Sequence, residues 1–394
     1  MKNVTAAVVL YNSRDLIPAL SETIKLLPSD MRTVIYDSGS SDGSAELASS
    51  LLGSSTVIRG SNHGFGFGNN RCLEKIDTEY TLLLNSDASI DGLSLEKLVA
   101  FLDDNPDHAG VQPLIRLWGW EKVTVSSGVY LTEYGEAWDS RFMHLELAPL
   151  RTTIQVPAIT AAVALFRTEA LRSVNGFDES FFMYFEDADL SLRLGAEGWK
   201  LAVERSAEAI HMVGASSKRL SALKWELESS IRMFRRYFGS GRLSSMWWRR
   251  EARIAIHSVI RGKSPFWRTA VILKALRGKE RVGKVPEELE AILFGDPMDL
   301  PGARTEGNSR GPGWKGNVVS PWAGFRGDGN PVDLQFTALS HSVTGTISAG
   351  SGELLKRFII PADSKREVKL AKTTSVVYIH CDSFSDRVEV TLSQ

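Results

Sequence analysis

TVIYDSGSSDGSAELASSLL, residues 33–52, is the stretch whose reading decides the fold. Thr33–Tyr36 is a short β-branched and aromatic run without polar alternation, the pattern of a strand buried on both faces of a parallel sheet. Asp37–Ser44 consists almost wholly of turn formers. Ala45–Leu52 returns to apolar residues at helical spacing. The same strand, polar turn and helix recur on either side. Val4–Tyr11 (VTAAVVLY) reads as a strand bounded by Asn12 and Ser13. Leu16, Leu20, Ile24 and Leu27 then share a helical face that Pro28 closes. Val57–Arg59 is a third strand, followed by the polar stretch Asn62–Asn70 and another helix. Tyr80–Leu84 is a fourth, ending in Asn85-Ser86-Asp87. This alternation predicts an α/β fold built on a doubly wound, mostly parallel sheet flanked by helices. Ligands of such sheets bind at the carboxyl ends of the strands, where these polar stretches fall.

Several side chains there can carry chemistry. Asp37, at a strand tip, can accept a hydrogen bond from a nucleobase or ribose, and an Asx turn explains it equally. The glycines of Gly64–Gly68 can let backbone approach a diphosphate or can serve a structural turn. They are not a dinucleotide fingerprint, because Asn69 stands where that pattern needs glycine or alanine. Asp87 is placed to hold Mg²⁺ or Mn²⁺ against phosphate oxygens, with a turn aspartate as the plainer reading. Further along, Gly176–Leu194 reads GFDESFFMYFEDADLSLRL. Its run Phe181–Phe185 is expected to be buried. Glu186 and Asp187 follow directly, and Asp189 sits in the first turn of the next helix. By themselves these acids also fit the first turn of a surface helix. His211 is a lone histidine, a type more often packed or solvated than metal-bound. The aromatics Trp118, Trp120, Tyr130, Tyr134 and Trp138 suit a sugar acceptor or a plain core. Val156–Phe166 reads as a strand or wall beside the site.

Composition sets the outer limits. With 394 residues, the chain predicts two or three domains. Hydrophobic content of 43% and charged content of 24% are those of a globular protein. The net charge of −1 gives no sign of a nucleic-acid partner. Charge is uneven, however: Lys218–Lys284 holds 18 Lys/Arg against 4 Asp/Glu. Two cysteines, Cys72 and Cys381, cannot build a disulfide framework or a cysteine-rich zinc site, which fits a reducing compartment. The opening residues do not read as a signal peptide, and no run approaches the roughly 20 apolar residues of a membrane span.

Taken together, VVLYN (Val8–Asn12), YDSGSSDGS (Tyr36–Ser44), NHGFGFGNN (Asn62–Asn70), LLLNSD (Leu82–Asp87), the Gly176–Leu194 stretch and HMVGASS (His211–Ser217) resemble glycosyltransferase family 2 in order and spacing. The nearest branch is the bacterial rhamnosyltransferase and galactofuranosyltransferase group. The resemblance runs from about Val4 to Gly239. It implies a GT-A fold, Rossmann-like, and an inverting sugar transfer assisted by Mg²⁺ or Mn²⁺. Asp37 matches the acid that contacts a pyrimidine base. Tyr11, Asn12, Asn62, Gly64, Gly68, Asn69, Asn70 and Asn85 fall around the nucleotide-sugar donor. Asn85-Ser86-Asp87 takes the place of the D-x-D metal motif, with Asp87 the principal ligand, and His211 matches a histidine that binds the metal in some relatives. Asp187 matches the catalytic base, with Glu186 beside it. Trp118, Trp138, Phe182 and Tyr184 are acceptor-binding candidates.

The resemblance implies a dTDP- or UDP-sugar donor and a glycan or lipid-linked glycan acceptor in cell-surface polysaccharide synthesis, such as O-antigen. Two other readings stay open from the sequence: a non-catalytic glycan-binding protein of the same fold, and a sugar nucleotidyltransferase. The expected domains are a catalytic domain at 1–218, a basic helical segment at 219–299, a Gly/Pro-rich linker at 300–331 and a small β-sandwich-like domain at 332–394. Ser221–Phe238 reads as an amphipathic helix with Leu227, Ile231, Phe234 and Phe238 on one stripe. With Trp247, Trp248 and Trp267 among the basic residues, 219–284 suits an anionic membrane surface, or else a packed helical pair with a solvated basic face. The expected location is therefore cytoplasmic, peripheral to the inner membrane. The terminal domain could support a homo-oligomer.

Overall fold

The structure, a computed structural model, describes residues 3–53, 55–131, 137–140, 144–145, 153–212 and 219–238, and strand backbone between 315 and 393. Two compact units divide the chain. The first holds residues 1–118, 126–140 and 150–295; the second holds 119–125, 141–149 and 296–394.

In the first unit, β1 (Val4–Leu10) is central because nearly every residue is apolar and buried, leaving no face for water. After a 3₁₀ turn come α1 (Ile17–Leu26), β2 (Arg32–Asp37), α2 (Ser44–Leu51), β3 (Thr56–Arg59), α3 (Phe65–Leu73) and β4 (Tyr80–Leu84). β1 pairs in parallel with β2 and β4, and β2 with β3, as the repeated strand–turn–helix pattern predicts. β5 (Ala88–Ile90), α4 (Gly92–Asp104) and β6 (His108–Leu117) follow. β7 (Trp120–Ser126) crosses from the second unit into the first, and β8 (Val129–Leu131) and β9 (Ala137–Asp139) form an antiparallel pair. β10 (His144–Leu145) pairs with β7.

β11 (Ile154–Gln155), β12 (Val163–Arg167), α5 (Thr168–Ser173), α6 (Glu186–Ala196), β13 (Lys200–His211) and α7 (Arg219–Met233) complete the first unit, α7 running into a π turn at Phe234–Phe238. β12 is antiparallel to both β4 and β6, so the sheet runs β6-β12-β4-β1-β2-β3. β13 runs parallel to β6 but antiparallel to β5 and β11. The sheet is therefore mixed rather than mostly parallel: the parallel order holds across β4-β1-β2-β3, and β12 breaks it by pairing antiparallel with β4 and β6.

The second unit's later strands are β14 (Lys315–Val318), β15 (Trp322–Arg326), β16 (Val332–Ala338), β17 (Val343–Ala349), β18 (Leu354–Ile360), β19 (Ser364–Leu370), β20 (Val376–Cys381) and β21 (Val388–Ser393). They form two four-stranded sheets, β14-β21-β16-β19 and β15-β20-β17-β18. The expected basic helices beyond Phe238 and most of the 300–331 linker lie outside the described residues.

The apolar stripe expected on Ser221–Phe238 is spent on packing. Leu227, Ile231 and Phe234 are buried, and Met233 joins Leu131, Phe181, Ala188 and Leu192 in one cluster. Among the described residues, no helix is long and apolar enough to cross a membrane.

Candidate active site

The metal-site candidates meet because of strand register. The Asn85 amide donates to the Ala162 carbonyl (2.9 Å), and the turn that follows starts β5. β5 pairs with the end of β13, setting Ala88 opposite His211. That register brings His211 Nε2 to 3.2 Å from Asp87 Oδ1. The Met212 amide donates to the Asp87 carbonyl at 2.9 Å and fixes the second strand end. Asn85 Oδ1 is buried without a hydrogen-bond partner among the described residues. A carboxylate, an imidazole and a spare amide oxygen fit a divalent ion. No group of three or more His, Cys, Asp or Glu among the described residues could hold one alone. Phosphate oxygens and water would have to fill the remaining positions.

Asp37, nearly fully buried, supports both of its readings. Its Oδ1 accepts from the Ser40 amide (3.0 Å), a local turn, while Oδ2 is buried with no partner among the described residues. Asn12, at φ 48°, shapes the facing loop: its amide donates to Ser40 Oγ and its Oδ1 accepts from the Ser41 amide, both at 2.9 Å. Tyr11 beside it is 47% exposed, open to a ligand.

The stretch Asn62–Asn70 differs from expectation. It is not a loop followed by a helix, because α3 already begins at Phe65. Asn62 Oδ1 accepts from the Gly64 amide (3.1 Å) just ahead of it. Gly64 has φ 110°, and a Cβ there would meet the Phe182 carbonyl oxygen at 2.3 Å. The Phe65 amide donates to that same carbonyl at 3.0 Å. Gly68 lets α3 press on Val9 and Tyr36. Asn69 Nδ2 donates to the Phe65 carbonyl. Asn70 clasps the distant acidic stretch, its Nδ2 donating to the Phe177 carbonyl (2.9 Å) and its Oδ1 accepting from the Phe177 amide (2.8 Å). These residues thus dock the segment ahead of Glu186 onto the sheet.

That segment is only partly buried, contrary to expectation. Phe181 is fully buried, but Phe182–Phe185 are half-buried. The reason is backbone shape: Tyr184 (φ 69°) and Phe185 (φ 68°) are both left-handed, so the run bends instead of burying one face. Consecutive non-glycine residues in that region store strain. The bend delivers Glu186 and Asp187 as the first residues of α6.

The pair is asymmetric. Asp187 is half-buried and accepts hydrogen bonds from the Ala161 amide (3.3 Å), the Ala188 amide (2.8 Å) and Thr160. Burial raises its pKa, and those donors oppose the rise. Glu186 is 6% exposed, and its Oε2 has no partner among the described residues. Burial first, then the charge of Asp187, pushes Glu186 up to about 8. Burial raises both carboxyls, and the hydrogen-bond donors around Asp187 favour its ionised form while Glu186 Oε2 has none among the described residues.

Asp178 and Asp189 are structural, but not on a surface helix. Asp189 is completely buried and accepts from Arg193 Nε (2.8 Å), Arg236 Nη1 (2.5 Å) and the Tyr237 hydroxyl (2.8 Å). Arg236 Nη2 reaches Asp178 at 2.8 Å. Burial alone would raise Asp178, but Ser180 and Arg236 hold it down at about 2.

Of the acceptor candidates, Phe182 packs against Trp225 of α7 with ring centroids 5.0 Å apart. Trp118 is 41% exposed, and its amide donates to the His211 carbonyl. Trp138 lies on β9, opposite Tyr130. Tyr184 is in the strained bend. Sequence reading missed Trp225, Thr160, Gln112, Asp139 and Arg236. Gln112, a lone amide within an apolar strand, was the one readable signal among them.

Residues 5–174 match the profile of Glycosyl transferase family 2, ending just short of the acidic pair. N-acetylglucosaminyl-diphospho-decaprenol L-rhamnosyltransferase of Mycobacterium tuberculosis (strain H37Rv) is 25% identical over 210 residues, 47% of this chain and 68% of that protein. Rhamnosyltransferase WbbL of Escherichia coli (strain K12) is 40% identical over 65 residues, 16% of this chain and 25% of that one.

Residues 5–174 carry a glycosyltransferase family 2 domain.

Among solved structures, GalNAc-T7 with UDP, GalNAc and Mn²⁺ matches this glycosyltransferase with a TM-score of 0.50 and 12% identity, covering 100% of this chain and 72% of that one. At that identity the likeness is one of fold. The transferase's mixed α/β sheet is consistent with GT-A.

Proposed function

We propose that this transferase moves a sugar, rhamnose or another hexose, with inversion from a dTDP- or UDP-sugar to a glycan or lipid-linked glycan acceptor. The relatives favour rhamnose: one is named for L-rhamnosyl transfer to a diphospho-decaprenol-linked sugar, the other as a rhamnosyltransferase. The observation that carries the reading is the acidic pair at the start of α6, a half-buried Asp187 held by three donors beside a buried Glu186 whose Oε2 has no partner among the described residues.

Asp187 takes the proton of the acceptor hydroxyl as its oxygen bonds to the anomeric carbon. The bond from that carbon to the diphosphate oxygen breaks, and the diphosphate leaves with the electron pair. A divalent ion held by Asp87 and His211, with Asn85 in reach, would supply positive charge to that leaving group. Asp37 Oδ2 is suited to a base or ribose hydrogen bond. Glu186, kept neutral, avoids a second negative charge beside the base.

The protein's place is the cytoplasmic side of the inner membrane. The basic segment 219–284 suits an anionic membrane surface.

The test is to incubate the full chain with dTDP-rhamnose or a panel of UDP-sugars, an N-acetylglucosaminyl-diphospho-polyprenol and Mn²⁺, and to read products by mass. Addition of one hexosyl or deoxyhexosyl unit, abolished by EDTA, is expected. Neither transfer nor donor hydrolysis with any donor overturns the reading.

A further inference from the structure

Asp139 was not singled out by its sequence context, yet it stands among the site residues. It ends β9, whose Ala137 packs against the cluster of Leu131, Phe181, Ala188 and Leu192. Residues two apart on a strand share a face, so Asp139 faces the same way as Ala137, toward α6 and its acidic N-terminus. The Asp139 carboxylate lies within electrostatic reach of both Asp187 and His211. Burial, then the Asp187 charge, pushes it up to about 6, against the opposing pull of Ser126 and His211.

A chain of polar groups fixes the carboxylate. Ser126 hydrogen-bonds to it, and Gln112 Nε2 donates to Ser126 Oγ at 3.3 Å. Gln112 Oε1 accepts from the Thr160 amide at 2.9 Å, and Thr160 hydrogen-bonds to Asp187. Gln112 and Ser126 are almost completely buried. The network therefore links Asp139 to the proposed base through rigid groups. One atom is left over: Asp139 Oδ1 is buried and has no hydrogen-bond partner among the described residues. A buried carboxylate oxygen without a donor is costly unless a ligand or water supplies one.

The proposed reaction says what lies nearby. The anomeric carbon must sit between the diphosphate, on the Asp87–His211 side, and the attacking hydroxyl, on the Asp187 side. A group that senses both ends borders the transferred sugar ring. We propose that Asp139 accepts a hydrogen bond from a hydroxyl of the transferred sugar and is a specificity-determining residue for the donor. This rests on the transfer reading above.

The test separates the two. Wild type, Asp139→Asn and Asp139→Ala are titrated by calorimetry in Mn²⁺ with UDP, dTDP, UDP-glucose, UDP-galactose and dTDP-rhamnose, after thermal unfolding has confirmed that each is folded. The readout is the affinity ratio of a nucleotide sugar to its own nucleoside diphosphate. A purely structural role would shift both together. The expected result is nucleoside diphosphate binding within about 2-fold of wild type, and a ratio lowered about 10-fold or more in both variants, the size of a lost hydrogen bond to a charged group. An unchanged ratio, or a wild type to whose binding the sugar adds nothing, overturns the inference and leaves the transfer reading standing. A wild type that binds none of the five probes overturns both. If a variant fails to fold, the other supplies the ratio; if neither folds, Asp139 is a structural residue and the inference falls.

Discussion

His211 Nε2 lies 3.2 Å from Asp87 Oδ1, although the two residues are far apart in the sequence. The contact follows from the pairing of Ala88 with His211 across β5 and β13. Neither side chain alone suffices for a divalent ion, and phosphate oxygens or water would have to complete its coordination. Replacing His211 with Ala should raise the Mn²⁺ concentration for half-maximal turnover by roughly tenfold or more, in line with losses seen on perturbing metal sites. Asp87→Ala should do the same more severely. Metal titrations of turnover check both, and an unchanged Mn²⁺ requirement in both variants contradicts the placement.

Glu186 carries a pH dependence whose sign follows from its raised pKa. The folded protein keeps this proton up to about pH 8, whereas an unperturbed glutamate loses it near 4.5. Across that window the folded state binds more protons than the unfolded chain, so this group's contribution to stability falls as pH rises. It is fully present below the lower value and lost through the upper one. Glu186→Gln should flatten the decline. Thermal unfolding of both proteins from pH 5 to 9 checks this: the variant should gain on the wild type as pH rises, and parallel curves would refute it.

Arg236 is the cation that lets Asp189 be completely buried. Removing one partner of a buried ion pair costs about 3–5 kcal/mol, because the other charge is stranded. Arg236→Ala should lose stability of that order in urea unfolding, since Asp189 then keeps Arg193 and Tyr237 as partners among the described residues. A loss below about 1 kcal/mol, the range of exposed pairs, would show that the cluster is not closed to water.

Gly64→Ala tests how the acidic segment is docked. The new methyl would meet the Phe182 carbonyl, in a backbone conformation that alanine resists. A cost of roughly 1–3 kcal/mol is expected, with lower kcat because Phe182 leads into the bend before Glu186. Urea midpoints and steady-state rates check it. Wild-type values for both would show that the loop is not bound in this way.

What could be read from the sequence was what local pattern controls. The runs read at Thr33–Tyr36, Val4–Tyr11 and Tyr80–Leu84 fall on β2, β1 and β4, with β1 ending at Leu10, because apolar runs that short fit little else, and the three strands pair as the alternation implies. Asp37, Asp87, Asp187 and His211 could be named as candidates because motif order points to them. Long-range contacts could not be read. Asn70 looks like any asparagine after a glycine loop, yet it holds Phe177 by two hydrogen bonds. The bend that ends the aromatic run consists of two left-handed residues, Tyr184 and Phe185, a conformation that aromatic side chains do not announce. Asp139 is reached only through a network of residues from separate segments, Ser126, Gln112, Thr160 and Asp187.

The central claim is that Asp187 accepts the acceptor proton. The most direct measurement is single-turnover transfer by Asp187→Asn, alongside calorimetric donor binding by the same protein. The account predicts a rate lowered by roughly 100-fold or more, with donor affinity close to wild type, because general-base catalysis contributes about that much and the donor's phosphates bind elsewhere. Near-wild-type turnover in the variant would contradict it.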